Sequence, residues 1–467
     1  MTAIDFTTEV EKRKEDLLAD LFSLLEINSE RDDSKVDAEH PFGPGPVKAL
    51  EKFLEIADRD GYPTKNVDNY AGHFEFGDGE EVLGIFAHMD VVPAGSGWDT
   101  DPYTPTIKDG RLYARGASDD KGPTTACYYG LKIIKELGLP ISKKVRFIVG
   151  TDEESGWADM DYYFEHVGLA KPDFGFSPDA EFPIINGEKG NITEYLHFAG
   201  ENAGAARLHS FTGGLRENMV PESATAVVSG DLVADLQGKL DAFVAEHKLR
   251  GELQEEAGQY KVTIIGKSAH GAMPASGVNG ATYLALFLSQ FDFAGPAKNY
   301  LDIAGKILLN DHEGENLKIA HVDEKMGALS MNAGVFRFDE TSADNTIALN
   351  IRYPKGTSPE QIKSILENLP VASVSLSEHG HTPHYVPMED PLVQTLLNVY
   401  EKQTGLKGHE QVIGGGTFGR LLERGVAYGA MFPDSIDTMH QANEFIALDD
   451  LFRAAAIYAE AIYELIK

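Results

Sequence analysis

At 467 residues the chain is too long for one hydrophobic core and calls for two domains, or for one domain carrying a large insertion. With 42% hydrophobic and 25% charged residues it has a globular make-up, and 74 acidic against 41 basic residues give a formal charge of -33, which repels nucleic acid and anionic membrane. A single cysteine, Cys127, excludes an internal disulfide, and with no apolar signal core, cleavage site or membrane-length apolar window the expected location is the cytoplasm.

Thr8 followed by Glu11 has capping-box spacing, and Val10, Leu17, Leu18, Leu21, Leu24 and Leu25 predict one face of a helix. Pro46 to Asp60 predicts a second helix, stopped at Gly61. Val82 to Ala87 is a short apolar run suited to a strand buried on both faces, and it stops on His88-Met89-Asp90. Side chains alternate along a strand, so His88 and Asp90 point the same way; one would bind and the other would hold its ring. Gly116 to Gly122 sets Asp119 and Asp120 side by side in a glycine-bounded loop, and carboxylates so close cannot both stay ionised without a cation.

A helix is expected from about Pro123 to Leu137, with Cys127 as a small core residue, then a strand at Lys144 to Gly150, a helix near Trp157 to His166 and a strand at Asp173 to Ser177. Strands alternating with helices imply a mainly parallel sheet with helices on both faces, and ligands gather at the carboxyl ends of such strands. Three strands here end on candidate ligands: His88, then Glu153 and Glu154 in GTDEESGW, then Asp179 in FSPDAEF. From about Asn191 the pattern changes. Strands at Lys261 to Gly266 and Thr346 to Arg352 mix with helices at about Leu236 to Leu249, Val278 to Phe291 and Pro359 to Leu369. Around His384 the α/β alternation resumes, with a helix at Leu392 to Thr404, a strand at Gln411 to Ile413, a helix beyond Thr417, a strand at Val426 to Phe432, then His440 and a last helix at Leu448 to Ile466. The chain therefore reads as one discontinuous α/β catalytic domain, residues 1–190 and 385–467, interrupted by an inserted α+β lid domain at 191–384.

His88, Asp119, Glu154, Asp179 and His440 form a nitrogen and oxygen ligand set suited to zinc, or to manganese or cobalt in its place. Five ligands are one too many for a tetrahedral zinc but suit two ions sharing a carboxylate. Glu153 diverges from its neighbour Glu154 on an extended segment, which leaves it available as a general base.

HMDVVP, RGASDDKG, GTDEESG, FSPDAEFP, His270 in GKSAHGAMP and the late MHQANEF together resemble the M20 family of metallopeptidases, and within it the bacterial dipeptidase V branch, with carnosinase-like activity on Xaa-His dipeptides. The resemblance runs over nearly the whole chain with the motifs in order. It implies Asp119 as the bridging ligand, His88 and Asp179 on one ion, Glu154 and His440 on the other, Asp90 as the orienter of His88 and Glu153 as the catalytic carboxylate. It further implies a cis bond between Asp119 and Asp120, His270 as a lid donor to the developing oxyanion, and Asn218, Arg352 and the Gly415-Gly416-Thr417 loop as the holders of the substrate's carboxylate. The expected partner is a small peptide substrate, with no nucleic acid and no membrane.

Other activities use parts of the same pattern. A deacylase or carboxypeptidase of this family would use the same metals. Gly414 to Gly419 also satisfies the G-x-G-x-x-G of a dinucleotide-binding dehydrogenase, with Asp434 and Asp437 at a distance suited to a ribose contact, but that reading leaves the His and carboxylate set unexplained. A silent metal-binding protein would have no use for the free base Glu153. The lid is long enough for two β-α-β-β-α-β units of the ferredoxin-like kind. The second, within about Lys261 to Glu378, is expected to take the place of the dimer partner found in smaller-lid relatives, so that His270 serves its own chain and the enzyme is a monomer.

Overall fold

The computed structural model describes residues 4–200, 203–232 and 235–467. The chain forms two compact units, one of Met1–Gly187, Tyr385–Gln411 and Gly416–Lys467, the other of Glu188–His384 and Val412–Gly415.

The first unit is built on a six-stranded sheet in the order Thr64–Val67, Ala71–Phe76, Lys144–Gly150, Val82–His88, Phe174–Ser177, Gly425–Ala427. The last four strands are mutually parallel, and the first two add an antiparallel hairpin at one edge. The central strands are apolar on both faces, and their alternation divides two cores. Leu83, Ile85, Ala87, Val145, Phe147 and Val149 face the larger one, against the helices Pro44–Arg59, Lys121–Glu136 and Leu448–Ile466. Phe86 and Ile148 face a smaller one with Met160 and Tyr163 of the helix Ala158–His166, and with Phe418 and Leu422. Cys127 is fully buried in the larger core.

Several local expectations change. The first apolar face belongs to two helices, Phe6–Glu11 and Lys14–Leu25, and the cap of the first is Asp5, whose carboxylate accepts the Thr8 amide at 3.1 Å, so the Thr8–Glu11 box does not form. No α-helix follows Thr417; its hydroxyl accepts the Gly419 amide at 3.1 Å and caps a four-residue 3-10 turn, Phe418–Leu421. The strand expected at Val426 to Phe432 is two short ones, Gly425–Ala427 and Ala430–Met431. Among the described residues no helix is long and apolar enough to cross a membrane.

The second unit is one continuous antiparallel sheet of eight strands with two ferredoxin-like halves side by side. In one half, Gly190–Phe198, Ser330–Asp339, Asn345–Tyr353 and Ser373–Leu376 take the places of strands 1 to 4 in the order 2-3-1-4, with the helix Pro359–Leu366 between the last two. In the other, Ser223–Gly230, Arg250–Glu256 and Gln259–Ile265 hold the first three places, and Ala206–Gly213, which precedes them in the chain, fills the fourth. The division therefore differs from a second half lying within Lys261 to Glu378, because one half opens with Gly190–Phe198 and the other is inserted into it. The halves join where Ser210–Gly213 pairs with Phe336–Asp339.

Glu194 lies in the core of this unit, fully buried between Leu349 and Leu376 on the neighbouring strands, and neither carboxylate oxygen has a hydrogen-bond partner. Burial pushes its carboxyl up to about 8; Lys363 opposes the shift, while Glu360 and Glu367 add to it. The folded chain therefore holds a proton that the unfolded chain releases near the ordinary 4.5. Its stabilising effect is complete below about 4.5 and is lost as pH rises towards about 8. A Glu194→Gln chain is expected to lose this slope and to gain about 2 kcal/mol or more over the wild type at pH 8. Urea titrations at pH 5 and pH 8 measure it, and identical pH dependence in the two chains would contradict the neutral carboxyl.

Candidate metal centre

The parallel strands of the first unit bring their carboxyl ends together. His88 is the last residue of its strand and pairs with Gly150, the last residue of the next, so the loop that carries Glu153 and Glu154 starts beside it. Asp179 follows the neighbouring strand Phe174–Ser177 by two residues. The fourth contributor is the loop before the helix Lys121–Glu136, where the Asp119–Asp120 bond is cis, as the resemblance implies. Lys121 anchors that loop from below. Its buried ammonium donates to the carbonyls of Leu24 at 3.0 Å and Ile27 at 2.8 Å, and so satisfies the end of the helix Lys14–Leu25.

The His88 ring is held at Nδ1 by the Asp90 carbonyl at 3.0 Å, with the Asp90 carboxylate at 3.4 Å. That leaves Nε2 facing Asp119 Oδ1, 3.1 Å away, and Asp179 Oδ2, 3.6 Å away. His440, in a loop at φ +61, brings Nε2 to 2.9 Å from the other Asp119 oxygen and to 3.2 Å from Glu154 Oε2. Two ligand groups result, His88 with Asp119 and Asp179, and Asp119 with Glu154 and His440; within each, the ligand atoms lie within 4.8 Å of one another. Glu153 belongs to neither. Asp119 serves both groups, one oxygen to each.

The electrostatics of this cluster fit divalent cations. Burial raises the carboxyls of Glu153 and Asp179, and nearby carboxylates raise them further. Burial likewise carries Glu154 to about 7, and its Oε1 is buried without a hydrogen-bond partner. Asp119 goes the other way: burial would raise it, but hydrogen bonds from His440 and His88 hold it well below the usual carboxylate range. Four carboxylates crowded together with only two imidazoles to offset them make a nitrogen and oxygen donor set suited to divalent cations.

Further contacts hold these side chains, and two of the groups that make them, Glu444 and Asp159, are absent from the sequence reading. The Asp90 carboxylate accepts the amides of Glu153 at 3.2 Å and Glu154 at 3.1 Å, so it ties both residues to the His88 strand. Glu444 accepts the amides of Ser118 at 2.8 Å and Asp119 at 3.2 Å and takes Arg115 Nη1 at 2.5 Å. Asp159 accepts the amides of Thr151 at 2.7 Å and Asp152 at 3.0 Å, which fixes the start of the Glu153 loop. Glu444 lies within the MHQANEF motif, four residues after His440, and its position there was the one available signal.

The remaining candidates divide between the units. Gly416 and Thr417 belong to the first, and Thr417 is buried. His270, Asn218, Arg352 and Gly415 belong to the second. Arg352 is 6% exposed, not a surface residue; its Nε donates to Asn350 Oδ1 at 3.1 Å, and Asn350 is held in turn by Asn191 and Thr193. His270 Nδ1 accepts the Ala272 amide at 3.2 Å, which places the ring proton on Nε2. The dinucleotide reading loses its support: the glycines precede a four-residue turn, not a helix whose N-terminus could receive a pyrophosphate.

A parallel sheet whose strand ends converge on paired His and carboxylate groups is the build of a metal-dependent hydrolase. Residues 84–464 match peptidase family M20/M25/M40, and the chain belongs to that family. A beta-Ala-Xaa dipeptidase from Lactobacillus delbrueckii subsp. lactis is 45% identical over 468 residues, covering 99% of each chain. Among solved structures, human carnosine dipeptidase 1 has the same fold at a TM-score of 0.57 and 16% identity, with 98% of each chain covered. An M20 metallo-carboxypeptidase from Sulfolobus solfataricus matches at a TM-score of 0.57 and 18% identity, covering 96% of this chain and 99% of its own.

Proposed function

We propose that the chain is a di-metal dipeptidase that hydrolyses unblocked dipeptides, β-Ala-Xaa and Xaa-His dipeptides among them, with Glu153 as general base. The observation that carries the reading is the division of Asp119 between two His–carboxylate groups. His88 and Asp179 would hold one divalent ion and Glu154 and His440 the other, zinc first, with manganese or cobalt as substitutes. When bound, the ions supply the positive charge that polarises the scissile carbonyl and makes water nucleophilic near neutral pH.

The chain's own residues do the rest. Glu153 takes the proton of the attacking water and gives it to the leaving amine; a carboxyl raised by burial can do both near neutrality. Asp90 keeps the His88 ring and the Glu153 amide in register. His270 directs its Nε2–H to the developing oxyanion. The Arg352 guanidinium, with Asn218 and the Gly415-Gly416-Thr417 segment, receives the substrate's carboxylate in a fixed fork. Residues 1–190 and 385–467 form the catalytic domain and 191–384 the lid. The enzyme works as a cytoplasmic monomer, and inactive His270→Ala and Glu153→Ala chains would stay inactive when mixed.

The substrate class rests on the 45% identity to the beta-Ala-Xaa dipeptidase and on the buried Arg352. It is tested by hydrolysis of di-, tri- and N-acetylated peptides with and without chelator. Dipeptides should be cut far faster than the others, and preferential release of acetate would assign a deacylase instead. Arg352→Ala is expected to raise KM for a dipeptide by roughly 10- to 100-fold, the worth of a charge-assisted hydrogen bond, and to matter little for the C-terminal amide. Equal losses on both would place Arg352 away from the carboxylate.

A further inference from the structure

We infer that Asn332 is a positioning residue for the reaction, clamping the backbone on both sides of Asn218 and, through it, the segment that carries His270. The inference rests on the roles proposed for Asn218 and His270. Asn332 is 2% exposed on the strand Ser330–Asp339, and its amide donates one hydrogen to the Glu217 carbonyl at 2.8 Å and the other to the Met219 carbonyl at 2.9 Å. An amide nitrogen with both hydrogens committed to the carbonyls flanking one residue leaves that residue little rotation about its backbone.

The rest of the strand reinforces this hold. A bulge between Ala333 and Val335 presents Gly334, where a Cβ would stand 2.2 Å from the Glu217 oxygen, so the two backbones touch. Farther along, Arg337 donates to the carbonyls of Gly213 and Gly214, at 3.0 Å each. The 213–219 loop is thus tied to a single strand at its start, its middle and its end.

From Asn218 the chain of contacts continues to the histidine. The Gly271 amide donates to the Asn218 carbonyl at 2.7 Å, and a Cβ on Gly271 would lie 2.8 Å from that carbonyl. Met219 and His270 form an isolated antiparallel bridge, and the Val220 amide donates to the Ala269 carbonyl at 2.9 Å. Asn218 and His270 are both exposed at the surface of this unit, and the buried Asn332 reaches His270 through the carbonyls of Glu217 and Met219 and the contacts of 218–220 with 269–271.

The test uses Asn332→Asp, which keeps the shape but turns an oxygen to the two carbonyls, and Asn332→Ser, which leaves room for a bridging water. Each is assayed on a dipeptide for kcat and KM, for metal content and for melting temperature, alone and combined with His270→Ala. Asn332→Asp is expected to lower kcat by roughly 10- to 100-fold, the effect of about 1 Å of misplacement, with two ions still bound. Asn332→Ser should lose less. In the His270→Ala background either change should cost under about twofold, because the group being positioned is gone. Wild-type kcat in both Asn332 variants beside a His270→Ala chain slowed by roughly 10²- to 10³-fold overturns the positioning role alone, as do losses that multiply in the double variant. A His270→Ala chain at the wild-type rate overturns the role of His270 and this inference with it.

Discussion

A Glu153→Gln chain is expected to bind metal as the wild type does and to turn over dipeptide roughly 10²- to 10⁴-fold more slowly, the usual worth of a positioned general base. The substitution keeps the shape and removes only the ability to take and return a proton. Glu153 lies outside both ligand groups, so the ions have no reason to leave. Its main-chain amide, not its side chain, is what Asp90 holds, so the loop that carries Glu154 should stay in place. Measuring kcat beside bound metal separates the possibilities: full metal with full activity would remove Glu153 from the mechanism, and lost metal would make it a ligand.

Asp119→Ala should have the second large effect, the loss of both ions from one substitution. Asp179→Ala and Glu154→Ala each remove a ligand from one group only and should leave the other ion bound, whereas Asp119 supplies an oxygen to each. Turnover is expected to fall by at least about 10³-fold, in line with the several kcal/mol that metal ions contribute to such transition states. The loaded wild type should also melt higher than the chelated one, because an ion at about 1,000 times its Kd stabilises the fold by about 4 kcal/mol. The Asp119→Ala chain should show no response to chelator. An Asp119→Ala chain that retains one ion would show that the two groups do not depend on a shared carboxylate, and a metal-saturated wild type with less than one ion per chain would overturn the two-ion centre.

The sheet and the candidate ligand positions at its strand ends were legible because their signals are local. A run such as Val82 to His88 shows both its buried faces and its polar end in seven consecutive residues, and Lys144–Gly150 matches the expected bounds. The supporting groups were harder to see. Glu444 acts on Asp119 across 325 positions, and Asn332 acts on Glu217 across 115, and a single sequence carries no mark of such pairing. The lid was read only coarsely for a related reason. Arg250–Glu256 is an edge strand whose inner face carries Gly251, Leu253 and Glu255, so a single apolar side chain is all that marks its alternation in the sequence. The missing helix after Thr417 shows the reverse problem, since a glycine-rich approach and a hydroxyl cap announce a helix whether or not more than one turn follows.

The nesting of one unit inside the other sets an order for biosynthesis. All eight strands of the second unit's large sheet have been synthesised once Leu376 has been added, when about a fifth of the sequence is still untranslated. The first unit has to wait for its edge strand Gly425–Ala427, for His440 and for the helix Leu448–Ile466 that covers its main core. Until then Asp119 has neither its second imidazole nor the Glu444 carboxylate that holds its loop. The nascent chain can therefore assemble one candidate ligand group before the other.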